Sequence, residues 1–129
     1  MAKIDVRRSI SRSQIYTLID SEDVVSSYTS NSIDTWDYRY FVLYLDIDST
    51  STPTDLVINV QFSPDNTNWY NFMNWFYGDM RWEDTATASG VAECVCYNNV
   101  GRYMRLVATV TGGSGSAYFT VTARVELYN

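Results

Sequence analysis

The chain has 129 residues, the length of one domain, and its 46% hydrophobic content favours a folded core over disorder. It contains no histidine, which excludes Ser-His-Asp, Cys-His and His-zinc sites. The net charge of −6 is divided unevenly, with +3 over residues 1–14 and −9 over the rest. Because an acidic body repels phosphates, we expect no nucleic-acid partner.

The first segment, MAKIDVRRSISRSQ, shows no sustained apolar period. We predict that residues 1–14 form an extended basic arm and that residues 15–129 form the folded domain. The arm has three possible roles: we favour a solvated tail or a contact with an acidic neighbouring subunit over the third, a contact with nucleic acid. The start of the chain has no apolar segment of the signal-peptide type, and no long apolar run follows, so we expect neither export nor a membrane partner. The arm's cationic interface candidates are Lys3, Arg7, Arg8 and Arg12.

After the arm, Ile15 to Ile19 and Val24 to Tyr28 are predicted as short strands separated by the polar sequence DSED. Thr29 to Trp36 is predicted as a polar loop. The following segments YRYFVLYLDID and DLVINVQFS alternate between apolar and polar positions, as half-buried strands do. This alternation and that of two later strands predict one buried set: Leu43, Leu45, Leu56, Ile58, Val60, Leu106 and Val121.

The second half of the chain continues the strand pattern. Trp69 to Phe76 is predicted as a strand, and Gly78 to Ser89 as a connection that carries Trp82. Three further strands are predicted at 91–97, 103–111 and 117–128, with GGSGS as the last hairpin loop. About eight short strands in a chain of this length predict an all-β protein, a single antiparallel β-sandwich of jelly-roll type.

Two cysteines, Cys94 and Cys96, lie two residues apart in a predicted strand. That spacing opposes a disulfide between them, and we expect both thiols to be reduced and buried. Three carboxylates near one loop, at Asp46, Asp48 and Asp55, suit solvated strand ends or a calcium site. We expect the first and predict no catalytic, cofactor or metal site.

The densest feature is a run of seven aromatic residues between Trp69 and Trp82. A small sandwich core does not easily hold them all, so some are expected at the surface. A protein interface, plain packing and sugar stacking are the three explanations, and we favour the interface. The aromatic interface candidates are Trp69, Tyr70, Trp75, Tyr77 and Trp82.

Two stretches, VLYLDIDSTSTPTDLVINVQFSPDNTNWYNF and GRYMRLVATVTGGSGSAYFTVTARVEL, resemble the strand and turn order of tailed-phage head decoration or cement proteins. The resemblance covers residues 38–128. It implies a non-enzymatic virion protein, made in the host cytoplasm, that binds the major capsid protein and stabilises the capsid. It also implies a homo-oligomer, with a trimer favoured.

The same stretches are similar to galactose-binding-like domains of the discoidin type. Those domains have an S-x-D-G-x-x-W turn, matched here by Ser63, Asp65 and Trp69, with Asn66 in place of glycine. They also have an R-Y-x-R-L strand, matched by Arg102, Tyr103, Arg105 and Leu106. This similarity implies the alternative function, a carbohydrate- or receptor-binding module, for example on a phage tail.

Overall fold

The computed structural model describes residues 13–51, 53–72, 80–83, 91–98 and 101–129, with residues 80–83 and 91–98 described through their backbone pairing. These residues form antiparallel strands, and the predicted all-β class is confirmed. The strands are β1 (Ser13–Val24), β2 (Ser27–Thr29), β3 (Ile33–Asp34), β4 (Tyr40–Thr50), β5 (Asp55–Ser63), β6 (Tyr70–Asn71), β7 (Met80–Glu83), β8 (Val91–Asn98), β9 (Tyr103–Thr111) and β10 (Tyr118–Tyr128).

The strands form two sheets. Sheet A has the order β1-β10-β4-β8, and sheet B has the order β2-β9-β5-β6. The short strands β3 and β7 add to sheet B, where β3 pairs with β9 and β7 pairs with β5. If β2 with β3 and β6 with β7 are each taken as one interrupted strand, eight strands remain, four in each sheet. Their order is that of a jelly roll, as predicted.

The core lies between the two sheets and is built from alternate residues of the long strands. All seven residues predicted to be buried are at most 2% exposed. In β4 the residues Phe41, Leu43, Leu45 and Ile47 are buried, while Tyr44 and Asp46 face solvent, so the predicted register is confirmed. Each such aliphatic side chain contributes about 1.5–3 kcal/mol through burial.

The structure corrects the predicted elements at the start of the domain. β1 continues through DSED as one strand. Its register with β10 shifts after Thr17 and again after Ile19, and Ser21 is left-handed (φ 50°). These irregularities are β-bulges, which accommodate the polar residues without ending the strand. β1 also begins inside the predicted arm, since Ser13 pairs with Tyr128 and Gln14 with Leu127. Residues 1–12, which hold the four basic candidates, lie outside the described residues.

Two further elements differ from the sequence prediction. The segment Thr29 to Trp36 is not only a polar loop, because it contains β3 and the buried Ser30 and Thr35. Trp82 lies in β7 rather than in a connection, where its backbone pairs with Leu56. Hydrogen bonding across the sheet thus determines elements that side-chain alternation could not reveal.

The backbone of β8 pairs Cys94 with Tyr44 and Cys96 with Val42. The state of the two thiols lies outside the described side chains and stays a prediction. Among the described residues, no helix is long and apolar enough to cross a membrane.

Candidate functional site: an aromatic and arginine-rich rim

Several large exposed or half-buried side chains of sheet B and its adjoining loops lie around one end of the sandwich. Trp36 is 69% exposed and Tyr70 is 64% exposed. They line an open groove of about 390 Å³, within the range of ~300–1,000 Å³ that is usual for ligand sites. We call this surface the rim; its residues are Trp36, Trp69, Tyr70, Arg102, Tyr103 and Arg105.

Trp36 is held outward by the residues just before it. The buried Thr35 donates its hydroxyl to the carbonyls of Gly101 (2.8 Å) and Arg102 (2.9 Å), and its backbone N–H also donates to Arg102 (2.6 Å). The Trp36 N–H donates to the Asp34 carboxylate at 2.9 Å. These bonds fix the loop against the start of β9, so the next side chain projects into solvent.

The floor of the groove depends on a glycine. Phe62, Gly101 and Arg102 all line it. A Cβ atom at Gly101 would lie 2.5 Å from the Phe62 Cβ and 2.6 Å from its ring, which no real contact allows. Gly101 therefore lets the loop before β9 approach Phe62 closely and keeps the floor in place.

Arg102 lies between two aromatic rings. The centre of its guanidinium is 5.4 Å from the centroid of the Trp36 ring and 5.1 Å from that of Tyr103. Its NH2 nitrogen is also 3.7 Å from the Asp34 carboxylate, but both side chains are about half exposed, so this ion pair adds little stability. The rings orient the guanidinium and leave it accessible at the mouth of the groove.

A second arginine joins β9 to the loop after β5. The Arg105 guanidinium lies 4.3 Å from the centroid of the Trp69 ring. Its Nε donates to Gln61 (2.8 Å), whose amide nitrogen donates to Asn71 (3.0 Å). Trp69 is also half-buried, so its ring is less open to a ligand than the exposed rings of Trp36 and Tyr70.

The turn between β5 and β6 is organised by Asp65. Its carboxylate accepts hydrogen bonds from the backbone N–H groups of Asn68 (2.8 Å) and Thr67 (3.0 Å), from the Asn68 amide (2.7 Å) and from the Ser63 hydroxyl (3.0 Å). These donors, the Asn68 N–H above all, hold the pKa of Asp65 well below its ordinary value. The adjacent Asn66 is left-handed, with φ 61°. This is the position at which the discoidin-type turn has glycine, and asparagine is among the residues that tolerate such a φ.

The structure brings together part of the predicted interface. Trp69 and Tyr70 lie on the rim, whereas Phe72 turns inward and packs edge-on against Phe41 and Phe62. The other predicted interface side chains lie outside the part of the chain whose side chains are described. These are Lys3, Arg7, Arg8, Arg12, Trp75, Tyr77 and the side chain of Trp82.

Trp36 was not among the interface residues predicted from the sequence. The available signal was a tryptophan with polar residues on both sides, in the sequence Asp34-Thr35-Trp36-Asp37, since such a position favours exposure. Arg102, Tyr103 and Arg105 were noted only for their similarity to the discoidin-type strand.

The described carboxylates do not form a metal site. Asp46 and Asp48 lie in β4 of sheet A and Asp55 in β5 of sheet B, and Asp46 pairs with Arg124 at 3.4 Å. Within the described residues, no group of three or more metal-ligating side chains comes together.

No protein-family model and no curated protein matches the sequence. Solved structures do share the fold. A CBM4 carbohydrate-binding module has a TM-score of 0.51 at 11% identity, over 85% of this chain and 66% of that chain. The PBSX exported protein XepA has a TM-score of 0.54 at 11% identity, over 91% and 37%. VP2 of the infectious bursal disease virus subviral particle has a TM-score of 0.50 at 12% identity, over 90% and 32%. The chain spans less than two thirds of each of these proteins, and at such identities the likeness establishes the β-sandwich fold alone.

Proposed function

We propose that this chain is a non-enzymatic structural protein of a tailed-phage virion that binds the major capsid protein through its rim and stabilises the shell as a homo-oligomer. One observation supports this most: two aromatic rings, each about two-thirds exposed, lie beside two ring-stacked arginines on one surface. Tryptophan, tyrosine and arginine are the residues enriched in the centres of protein interfaces.

The rim is also prepared for binding before a partner arrives. Arg102 is positioned by two rings, Arg105 by Trp69 and Gln61, and the loop before Trp36 by Thr35. Side chains that are already ordered lose less conformational entropy on association. On a shell with many equivalent positions, modest contacts at each position sum to stable attachment.

Co-sedimentation with undecorated phage shells tests this proposal. Trp36→Ala and Tyr70→Ala should each weaken shell binding at least about tenfold, since both remove exposed anchors. Tyr44→Ala is the matched control, because Tyr44 is a partly exposed aromatic on the outer face of sheet A. Equal binding by all three variants would contradict the role of the rim.

Carbohydrate binding is the second candidate, favoured by the shape of the groove. Trp36 and Tyr70 line it together with the polar groups of Ser63 and Arg102, and sugars bind to such combinations of ring faces and hydrogen-bonding groups. A glycan array with the same variants separates the two functions. Binding of a glycan that is lost in Trp36→Ala, with no binding to shells, would replace the capsid proposal.

A further inference from the structure

We propose that two copies of this chain pair through the β1 edges of their A sheets, antiparallel and centred on Ile15. The inference concerns the sheet opposite the rim and does not depend on the proposed function. It differs from the trimer favoured by the sequence, because a strand edge paired with its own copy gives a two-fold dimer.

β1 is the end strand of sheet A, and none of the described strands pairs with its outer edge. An exposed edge offers backbone donors and acceptors to any other strand, so proteins usually protect it with charges, prolines or bulges. The second half of β1, from Ile19 to Asp23, is protected in this way. It contains a left-handed Ser21 (φ 50°), adjoining register shifts and the three acids Asp20, Glu22 and Asp23.

The first half of β1 has none of these features. Ser13 to Thr17, with the sequence SQIYT, contains no charge and no proline, and it pairs with β10 in unbroken register from Tyr128 to Arg124. Ile15 in its middle is 57% exposed, although the aliphatic residues of the other long strands are mostly buried. This half is unbroken in register, neutral and apolar at its centre, as suits a pairing edge.

The segment is complementary to itself. When two copies run antiparallel about a two-fold axis at Ile15, the two Ile15 side chains face each other and Ser13 lies opposite Thr17. Directly opposed side chains in such a pair approach to ~4.5–5.5 Å, so each Ile15 covers the other. No charge lies within the five residues, and like-charge repulsion is therefore absent at the centre.

Charge also favours a second copy over an unrelated strand. In the antiparallel arrangement, Ser13 of one copy lies on the side of the acidic half of β1 in the other, and Ser13 directly follows the basic segment of the sequence. The sequence before Ser13 contains Arg7, Arg8 and Arg12, and the acidic half contains Asp20, Glu22 and Asp23. The two-fold axis repeats this attraction on both sides, and because these acids are at least partly exposed, salt should weaken it.

Sedimentation equilibrium of the full chain tests the pairing. We expect the wild type to form dimers that dissociate more readily at high salt. Ile15→Lys should raise the dimer dissociation constant at least about tenfold, because two ammonium groups would then meet at the axis. Ser27→Lys is the matched control, since it adds the same charge at an exposed position of β2, the end strand of sheet B, and should leave the dimer intact.

A photo-crosslinker locates the contact directly. p-Benzoylphenylalanine at position 15 should link to residues 13–17 of the second copy. A wild-type protein that sediments as a monomer or a trimer would overturn the inference, as would an Ile15→Lys variant that dimerises normally. Crosslinking of position 15 to a capsid protein instead would assign this edge to a shell strand and also refute the pairing of copies. Loss of shell binding without loss of the dimer would affect only the proposed function.

Discussion

Side chains in the core between the sheets and side chains on the rim are held in place by different kinds of interaction. The core residues are fixed by the two-residue period of long strands, with residues such as Leu43 and Ile58 fully buried. The rim residues are fixed by local polar contacts, such as the Thr35 hydroxyl on the Gly101 carbonyl and the Arg105 guanidinium on Trp69. Stability should therefore respond mainly to changes in the core, and binding mainly to changes in the rim.

The largest expected effect comes from the core. Ile58→Ala should lower the free energy of unfolding by about 2–5 kcal/mol, because it leaves a cavity beside fully buried neighbours. Val57→Ala is the control, since Val57 lies on the outer side of the same strand and is only half-buried. Chemical denaturation measures both variants, and equal midpoints would contradict the assignment of Ile58 to the core.

A substitution at Thr35 tests how the rim is held in place, and its expected effect on stability is of intermediate size. Thr35→Val keeps the side-chain volume but removes the hydroxyl that donates to the carbonyls of Gly101 and Arg102. The expected loss of stability is about 1–3 kcal/mol, since two part-buried carbonyls lose the hydroxyl donor. Shell binding should fall by more than the loss of stability explains, because Trp36 loses its fixed position. Ser30→Ala, at another buried polar position, is the comparison, and a similar loss of binding there would refute the specific role of Thr35.

The stacked arginines should contribute less. Arg105→Lys keeps the charge but loses the planar contact with Trp69 and the Nε bond to Gln61, at an expected cost of about 0.5–1 kcal/mol. Arg124→Lys, which alters an exposed ion pair with Asp46, should change stability by less than about 0.5 kcal/mol. Thermal melting of the two variants distinguishes them, and an Arg105→Lys protein that melts like the wild type would leave the stack without a structural role.

The contrast between core and rim also explains what the sequence could predict. Alternation in β4, β5, β9 and β10 identifies the buried set and the sandwich, since period 2 is a direct consequence of strand geometry. Alternation says nothing about the bulges that carry β1 through DSED, because a bulge changes the register without an apolar signal.

The rim was only partly predictable for a related reason. The aromatic density near Trp69 indicated an exposed surface, but two of its partners are distant in sequence. Trp36 lies 33 residues before Trp69 and Arg102 lies 33 residues after it, and the sheet order brings them together. Contacts of this kind depend on which strands are neighbours, which a single sequence does not specify.

The smallest expected effect on stability is at Asp65, where a change of pH should affect the turn and not the sandwich. Hydrogen bonds from Asn68, Thr67 and Ser63 lower the pKa of Asp65 in the folded chain, so its carboxylate stabilises the turn above the ordinary aspartate pKa of about 4. That stabilisation declines as the pH falls below this value and is lost only below the lowered pKa. Carboxyl NMR titration should therefore show that Asp65 stays ionised below the ordinary aspartate pKa of about 4. Asp65→Asn should remove the pH dependence of the Thr67 and Asn68 amide signals and leave the sandwich intact, because residues 64–68 of the turn are exposed. An Asp65 that protonates near the ordinary aspartate pKa of about 4 would show that these hydrogen bonds do not persist in solution.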